Sequence, residues 1–129
     1  MKRSIFITII VCLLTGICTL EQILVSVTLK ELEIKSQELY EIVLDQENVN
    51  TNEVINLTKN LRDYWDQKEN LLCFFINHKD MDEMGREITK MISYCKQNET
   101  AEFNTSLSLV IYYTKMFNHI MGISLQNFI

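Results

Sequence analysis

Little in this chain makes tight turns easy: its 129 residues include 3 Gly and no Pro. Sandwiches and barrels reverse direction often and lean on glycine and proline to do so, and a glycine-rich phosphate loop needs glycines that are missing here. Long helices joined by few loops remain. The length suits one domain and not two, and an apolar content of 47% argues against disorder. A formal charge of −5, with no clustered basic surface, argues against a nucleic-acid partner.

The start of the chain stands apart. Lys2 and Arg3 precede an uncharged run from Ser4 to Leu20, and after Glu21 and Gln22 the apolar character resumes at Ile23, Leu24, Val25, Val27 and Leu29. A basic tip before such a run marks either a secretory signal or a membrane anchor. Thr15 to Leu20 offers only mediocre small-residue pairs for signal peptidase, and neither Cys12 nor Cys18 follows the small residue that lipid attachment needs. Ser4 to about Leu24 reaches the roughly 20 residues that a span requires, so an uncleaved anchor is favoured over a removed signal. Residues 1–29 are read as this anchor in the bilayer and residues 30–129 as a helical domain beyond it. Lys2 and Arg3 put the N-terminus in the cytoplasm by the positive-inside rule. The expected location is the cell membrane, single-pass, with the C-terminal domain extracytoplasmic; Lys30 and Lys35 weaken the bias, and a cytoplasmic domain is the alternative.

From Glu21 onward the apolar spacing is helical, with Leu24, Val27, Leu32, Leu39, Ile42 and Val43 marking an inward face that continues the anchor to Asp45. A polar stretch, Asp45 to Asn52, breaks it, and Asn50 with Glu53 predicts a capped start for a second helix over Thr51 to Asn77. Its inward row is Val54, Leu57, Leu61, Tyr64, Trp65, Leu71, Leu72 and Phe75. Asp80 and Glu83 predict the cap of a third helix, Met81 to about Gln97, with Met81, Met84, Ile88, Met91, Ile92 and Cys95 inward. The fourth, about Ala101 to Met121, carries Phe103, Leu107, Val110, Ile111, Tyr113, Phe117 and Ile120, and Gly122 is placed to end it, leaving a tail over Ile123 to Ile129. The fold class is therefore all-α: an N-terminal transmembrane helix continuing into an antiparallel up-and-down bundle of about four helices.

Candidate chemistry is thin. The two histidines, His78 and His119, fall at the same end of such a bundle, which the topology makes the membrane-proximal one. Asp80, Asp82 and Glu83 lie there too. Two imidazoles and a carboxylate such as Asp82 could bind zinc or respond to protons; helix-end stabilisation explains the same residues without a ligand. Trp65 and Lys68 sit one turn apart, and the lysine either pairs with a buried acid or lays its stem along Trp65 to reach water. From Phe103 to Ile129 the only formal charge is Lys115. Such a helix either buries more than one face within its own domain or offers a face, with Leu125, Phe128 and Ile129, to a partner. Cys73 and Cys95 are expected at opposite ends of the bundle, too far apart to bridge.

A basic tip with one membrane helix, Trp65 and Lys68 in a Trp-x-x-Lys pattern, and His78 followed by Asp80 and Asp82 come first. The ending follows: Phe117-Asn118-His119-Ile120, then Ser124-Leu125-Gln126-Asn127-Phe128-Ile129. In this order the chain resembles the clostridial family of domain of unknown function 4363 over nearly its whole length. The resemblance implies a small single-pass membrane protein of spore-forming Firmicutes, and carries no catalytic residue to transfer. It marks Trp65, Lys68, Phe117 and Asn127 as structural or interface positions.

No catalytic residue and no cofactor is expected, and the chain is read as not an enzyme, because short-looped bundles leave little room for a shaped pocket. The expected role is a non-catalytic interaction or structural accessory of an integral-membrane or envelope protein. The alternative is a small sensory domain that binds a ligand, metal or protons at its membrane-proximal end.

Overall fold

The computed structural model describes residues 1–126. They form four α-helices: α1 Lys2–Leu44, α2 Asn52–Leu72, α3 His78–Gln97 and α4 Thr100–Gln126. α1 packs on α2 and α4, and α3 packs on the same two. Neither diagonal pair meets. This is the up-and-down four-helix bundle that the spacing predicts, with one long apolar helix at its N-terminus.

The buried residues explain why the helices hold together. On α1 they step through Val25, Leu29, Leu32, Ser36, Leu39 and Val43; on α2 through Val54, Thr58, Leu61, Trp65 and Leu72. On α3 they are Met81, Met84, Ile88, Met91 and Cys95, and on α4 Phe103, Leu107, Val110, Thr114, Phe117 and Met121. Every helix carries a row with alternating steps of three and four, apart from one seven-residue step across Lys68 in α2, and Thr28 and Ser106 are buried beside the rows of α1 and α4. A mean step of 3.5 keeps one seam facing its neighbours in a left-handed, shallow-angled bundle. The small polar members of the seams are satisfied locally. Thr28, Ser36 and Thr58 donate to the carbonyls of Leu24, Leu32 and Val54 at 2.7–2.8 Å, and Thr114 donates to that of Ile111.

On α1 the seam differs from the expected face. Leu24 and Val27 are exposed, at 50% and 57%, while Val25 and Leu29 are fully buried. In a stretch that is apolar all round, composition cannot select a face; the seven-residue register inherited from Leu32, Leu39 and Val43 does. Burial begins at Val25, so the bundle starts a turn before residue 30. Residues 2–21 are exposed throughout, and α1 is long and apolar enough there to cross a membrane by length and composition.

Helix ends also depart from expectation. Thr51, not Asn50, caps α2, its hydroxyl accepting from the Val54 N–H. α2 stops at Leu72 rather than Asn77, because the N–H groups of Phe75 and Ile76 turn back to the Leu72 carbonyl. Asn77 then caps α3 through the Lys79 N–H, in place of Asp80. Gly122 does not end α4: its φ is not positive, and the helix runs on to Gln126. The expected tail is helical over 123–126, while Asn127, Phe128 and Ile129 lie outside the described residues. α3 ends at Asn98, left-handed at φ 56°, with the Glu99 N–H bonded to the Tyr94 carbonyl at 2.9 Å. The Asn98 amide oxygen accepts from the N–H groups of Val49 and Asn50, and its nitrogen donates to Asn48. One side chain thus clamps the α1–α2 loop to the α3–α4 turn.

This packing sets the expected cost of changes at Asn98, Trp65 and Gly85. Asn98→Gly keeps the left-handed turn and loses the clamp, whereas Asn98→Ala loses both. The alanine variant should therefore be less stable than the glycine variant by about 1–2 kcal/mol in denaturant unfolding. Trp65, 1% exposed, should cost about 3–5 kcal/mol as Trp65→Ala. A Cβ on Gly85 would stand 3.1 Å from the indole Nε1 of Trp65. Gly85→Ala should show its roughly 1 kcal/mol helical gain only in a Trp65→Leu background, which a double-mutant cycle measures.

Candidate functional site

Gly85 opens a groove of about 800 Å³ between α2 and α3. The buried Trp65 lies behind it, its indole edge facing Gly85. Around the rim, Arg62, Lys79, Arg86 and Lys90 alternate with Asp66, Glu69, Asp82 and Glu83. Much of this charge is spent internally. The Arg62 Nε donates to both Asp66 oxygens at 2.9 and 3.0 Å, its Nη1 donates to the Thr89 hydroxyl, and Lys90 pairs with Glu87 at 2.9 Å. Arg62 thereby bridges α2 to α3. The groove presents a rim whose charges balance, with no nucleophile and base in hydrogen-bond contact among its lining residues. Its one sequence signal was a lone glycine inside the amphipathic pattern of α3, which sequence reasoning missed.

α4 carries almost no charge, and its hydroxyl and amide groups meet the carboxylates of both neighbours. Tyr113 donates to Glu83 and Ser106 to Glu87 on α3, and Asn118 donates to Glu33 on α1 at 2.9 Å. Glu83 is the main cause that pushes the Tyr113 hydroxyl up to about 12, so this tie holds fully below pH 10 and is lost as pH rises toward 12. Burial works against the Glu87 carboxylate, but the hydrogen bonds from Lys90 and Ser106 outweigh it and hold its pKa below the ordinary value of 4.5. The outer side of α4 keeps Leu109, Tyr112 and Ile120 exposed, the last two at 60% and 52%. Both readings of this helix therefore have a physical basis: two flanks engaged in the bundle, and one uncharged face open.

The sequence-predicted positions fall as follows. Phe117 is buried and stacks at 5.9 Å from Tyr113. Lys68 is half-buried in the seam of α2, and its ammonium lies 5.8 Å from the Tyr64 ring centre. Lys35 approaches the same ring at 5.2 Å. The lysine thus lays its charge over Tyr64, which keeps a seam position solvated. Burial, reinforced by Glu31, raises the Tyr64 hydroxyl. His78 opens α3 and His119 lies in the last turns of α4, both exposed as is Asp82. They share an end of the bundle. His78, Asp82 and His119 are not brought together, and no cluster of three metal-ligating side chains forms among the described residues. Cys73 and Cys95 sit at opposite ends as free thiols; burial raises both. Asn127 lies outside the described residues, as does the side chain of Leu125.

The fold and its surfaces define a class: a small four-helix bundle whose long N-terminal helix begins with an exposed apolar segment, with an open groove between α2 and α3. Within it, residues 22–128 match the family described as Domain of unknown function (DUF4363), and the chain belongs to that family. The match begins where the exposed apolar segment ends. No curated protein and no solved structure matches the chain.

The Glu87 shift sets a pH dependence. A carboxylate held below its ordinary pKa stabilises the fold above that value and stops doing so as pH falls through the lowered one. Glu87→Gln should therefore be less stable than the native chain at pH 7, and thermal melts should converge as pH drops below 4.5.

Proposed function

We propose that this protein is a single-pass membrane accessory that acts by docking an integral-membrane or envelope protein, not by catalysis. The observation that carries the reading is the union of two features in one helix. Residues 4–20 of α1 carry no charge and are wholly unburied behind the basic tip of Lys2 and Arg3, and the same helix then supplies one seam of the bundle without a break. From Lys2 to Leu24 the helix is about 34 Å long, enough for a hydrocarbon core of about 30 Å. The basic tip favours an N-terminus in the cytoplasm and a bundle on the outer side. A spore-forming Firmicute cell is the setting that the family resemblance implies.

The partner-facing surface is the outer side of α4. Leu109, Tyr112 and Ile120 step by three and eight along it with Lys115 as its one charge. Such spacing suits a second helix laid alongside. The charges on the rim of the α2–α3 groove balance, and no cluster of three metal-ligating side chains forms among the described residues, which favours docking over the sensing of a ligand or metal.

Two measurements test the proposal. A C-terminal alkaline phosphatase fusion should be active and a C-terminal green fluorescent protein fusion dark, since the first matures outside the cytoplasm; the reverse pattern overturns the topology. A photo-crosslinker at Tyr112 should give a discrete adduct with a membrane protein, whereas one at exposed Lys59 on α2 should not. Equal, diffuse labelling from both would remove α4 as the docking face.

A further inference from the structure

The two ends of the bundle differ in kind. At the end remote from the apolar segment, the α1–α2 loop reads Asp45-Gln46-Glu47-Asn48-Val49-Asn50-Thr51 and the α3–α4 turn reads Asn98-Glu99. These are the polar connections expected where chain meets water, and the one apolar residue, Val49, is buried. At the end where α1 leaves the bundle, the α2–α3 connection reads Cys73-Phe74-Phe75-Ile76-Asn77. Phe75 and Ile76 fold back on the core. Phe74 does not: 85% of its surface is exposed, the highest value for a large apolar side chain among the described residues of the bundle.

The height of this turn follows from the antiparallel pairing. Val25 is the first buried residue of α1 and Leu72 the last of α2, so Phe74 lies at the level where α1 passes from exposed apolar helix to bundle seam. No spacer separates the two. On α1, Ile23, Leu24 and Val27 are exposed at this same level. Lys79 lies near it with Glu69, Asp80 and Asp82, so local charge is mixed and gives no net attraction to anionic lipid.

We infer that the α2–α3 turn lies in the interfacial layer of the bilayer, with Phe74 inserted among the upper acyl chains beside α1. The bundle then has two attachments to the membrane, one spanning and one interfacial, and is held against the surface rather than tethered above it. An exposed aromatic at a helix–helix turn suits this layer, where apolar side chains are buried to shallow depth while backbone groups keep their water. The contact is apolar, so it should persist at high salt. This inference rests on the membrane-anchor reading of α1.

The full-length chain in phosphatidylcholine vesicles brominated on the upper acyl chains provides the test. Three variants each add one tryptophan: Leu20→Trp in the apolar segment, Phe74→Trp in the turn and Asn50→Trp in the remote loop. The buried Trp65 gives a constant background. Relative to unbrominated vesicles, Leu20→Trp and Phe74→Trp should lose their added emission to a similar degree, at low and at high salt, while Asn50→Trp keeps it. Quenching at Leu20→Trp with Phe74→Trp behaving like Asn50→Trp would overturn the interfacial contact and leave the anchor standing. No quenching at Leu20→Trp would overturn both.

Discussion

A repeating step of three and four residues, kept in register on all four helices, is the constraint on which the rest of the molecule depends. Each seam position faces two neighbouring helices, so a shift of one helix by a single residue would carry its whole seam out of the core. Large side chains such as Trp65, Phe103 and Phe117 fill that core, and the buried hydroxyls of Thr28, Ser36 and Thr58 each donate to a carbonyl one turn earlier. The same register explains why Lys68 is tolerated in the seam of α2. It falls near an open end, where its ammonium rests over Tyr64 and solvent is within reach of a long side chain.

Polar ties reinforce the seams from outside. Carboxylates on α1 and α3 accept from the uncharged donors of α4, and Arg62 joins α2 to α3. Each such tie is individually modest, but together they discriminate between helices: α4 offers uncharged donors to the carboxylates of both its neighbours. At the remote end, Asn98 gathers two loops with one amide. That end is fastened by hydrogen bonds and the opposite end by apolar contact, an asymmetry that matches water on one side and lipid on the other in the membrane reading.

Four helices, their order and most of the core were legible in the sequence, because amphipathic spacing leaves a strong imprint wherever a helix has one wet face. Met81, Met84, Ile88, Met91 and Cys95 on α3 show this best, since α3 has the clearest division into wet and dry sides. The face of α1 was not legible around Leu24 and Val27, where both sides are apolar and only the register carried from the polar part of the helix decides. Helix ends were misplaced where two capping residues compete, as Asn77 with Asp80, and where a glycine is tolerated inside a helix, as Gly122. The groove at Gly85 depends on which helix faces it across a seam. That is tertiary information, and no local pattern around Gly85 could have revealed Trp65 opposite.

α1 passes from exposed apolar segment to bundle seam without a glycine, proline or turn between Gly16 and Asp45. A continuous α-helix is stiff in torsion as well as in bending, so the bundle's azimuth about the α1 axis is locked to that of the apolar segment. The compass direction in which α4 presents Tyr112 is therefore written into the number of residues separating the two halves of α1. One residue more or fewer in that stretch would swing the face through about 100°, which turns an inconspicuous segment into the dial that sets which neighbours the bundle can meet.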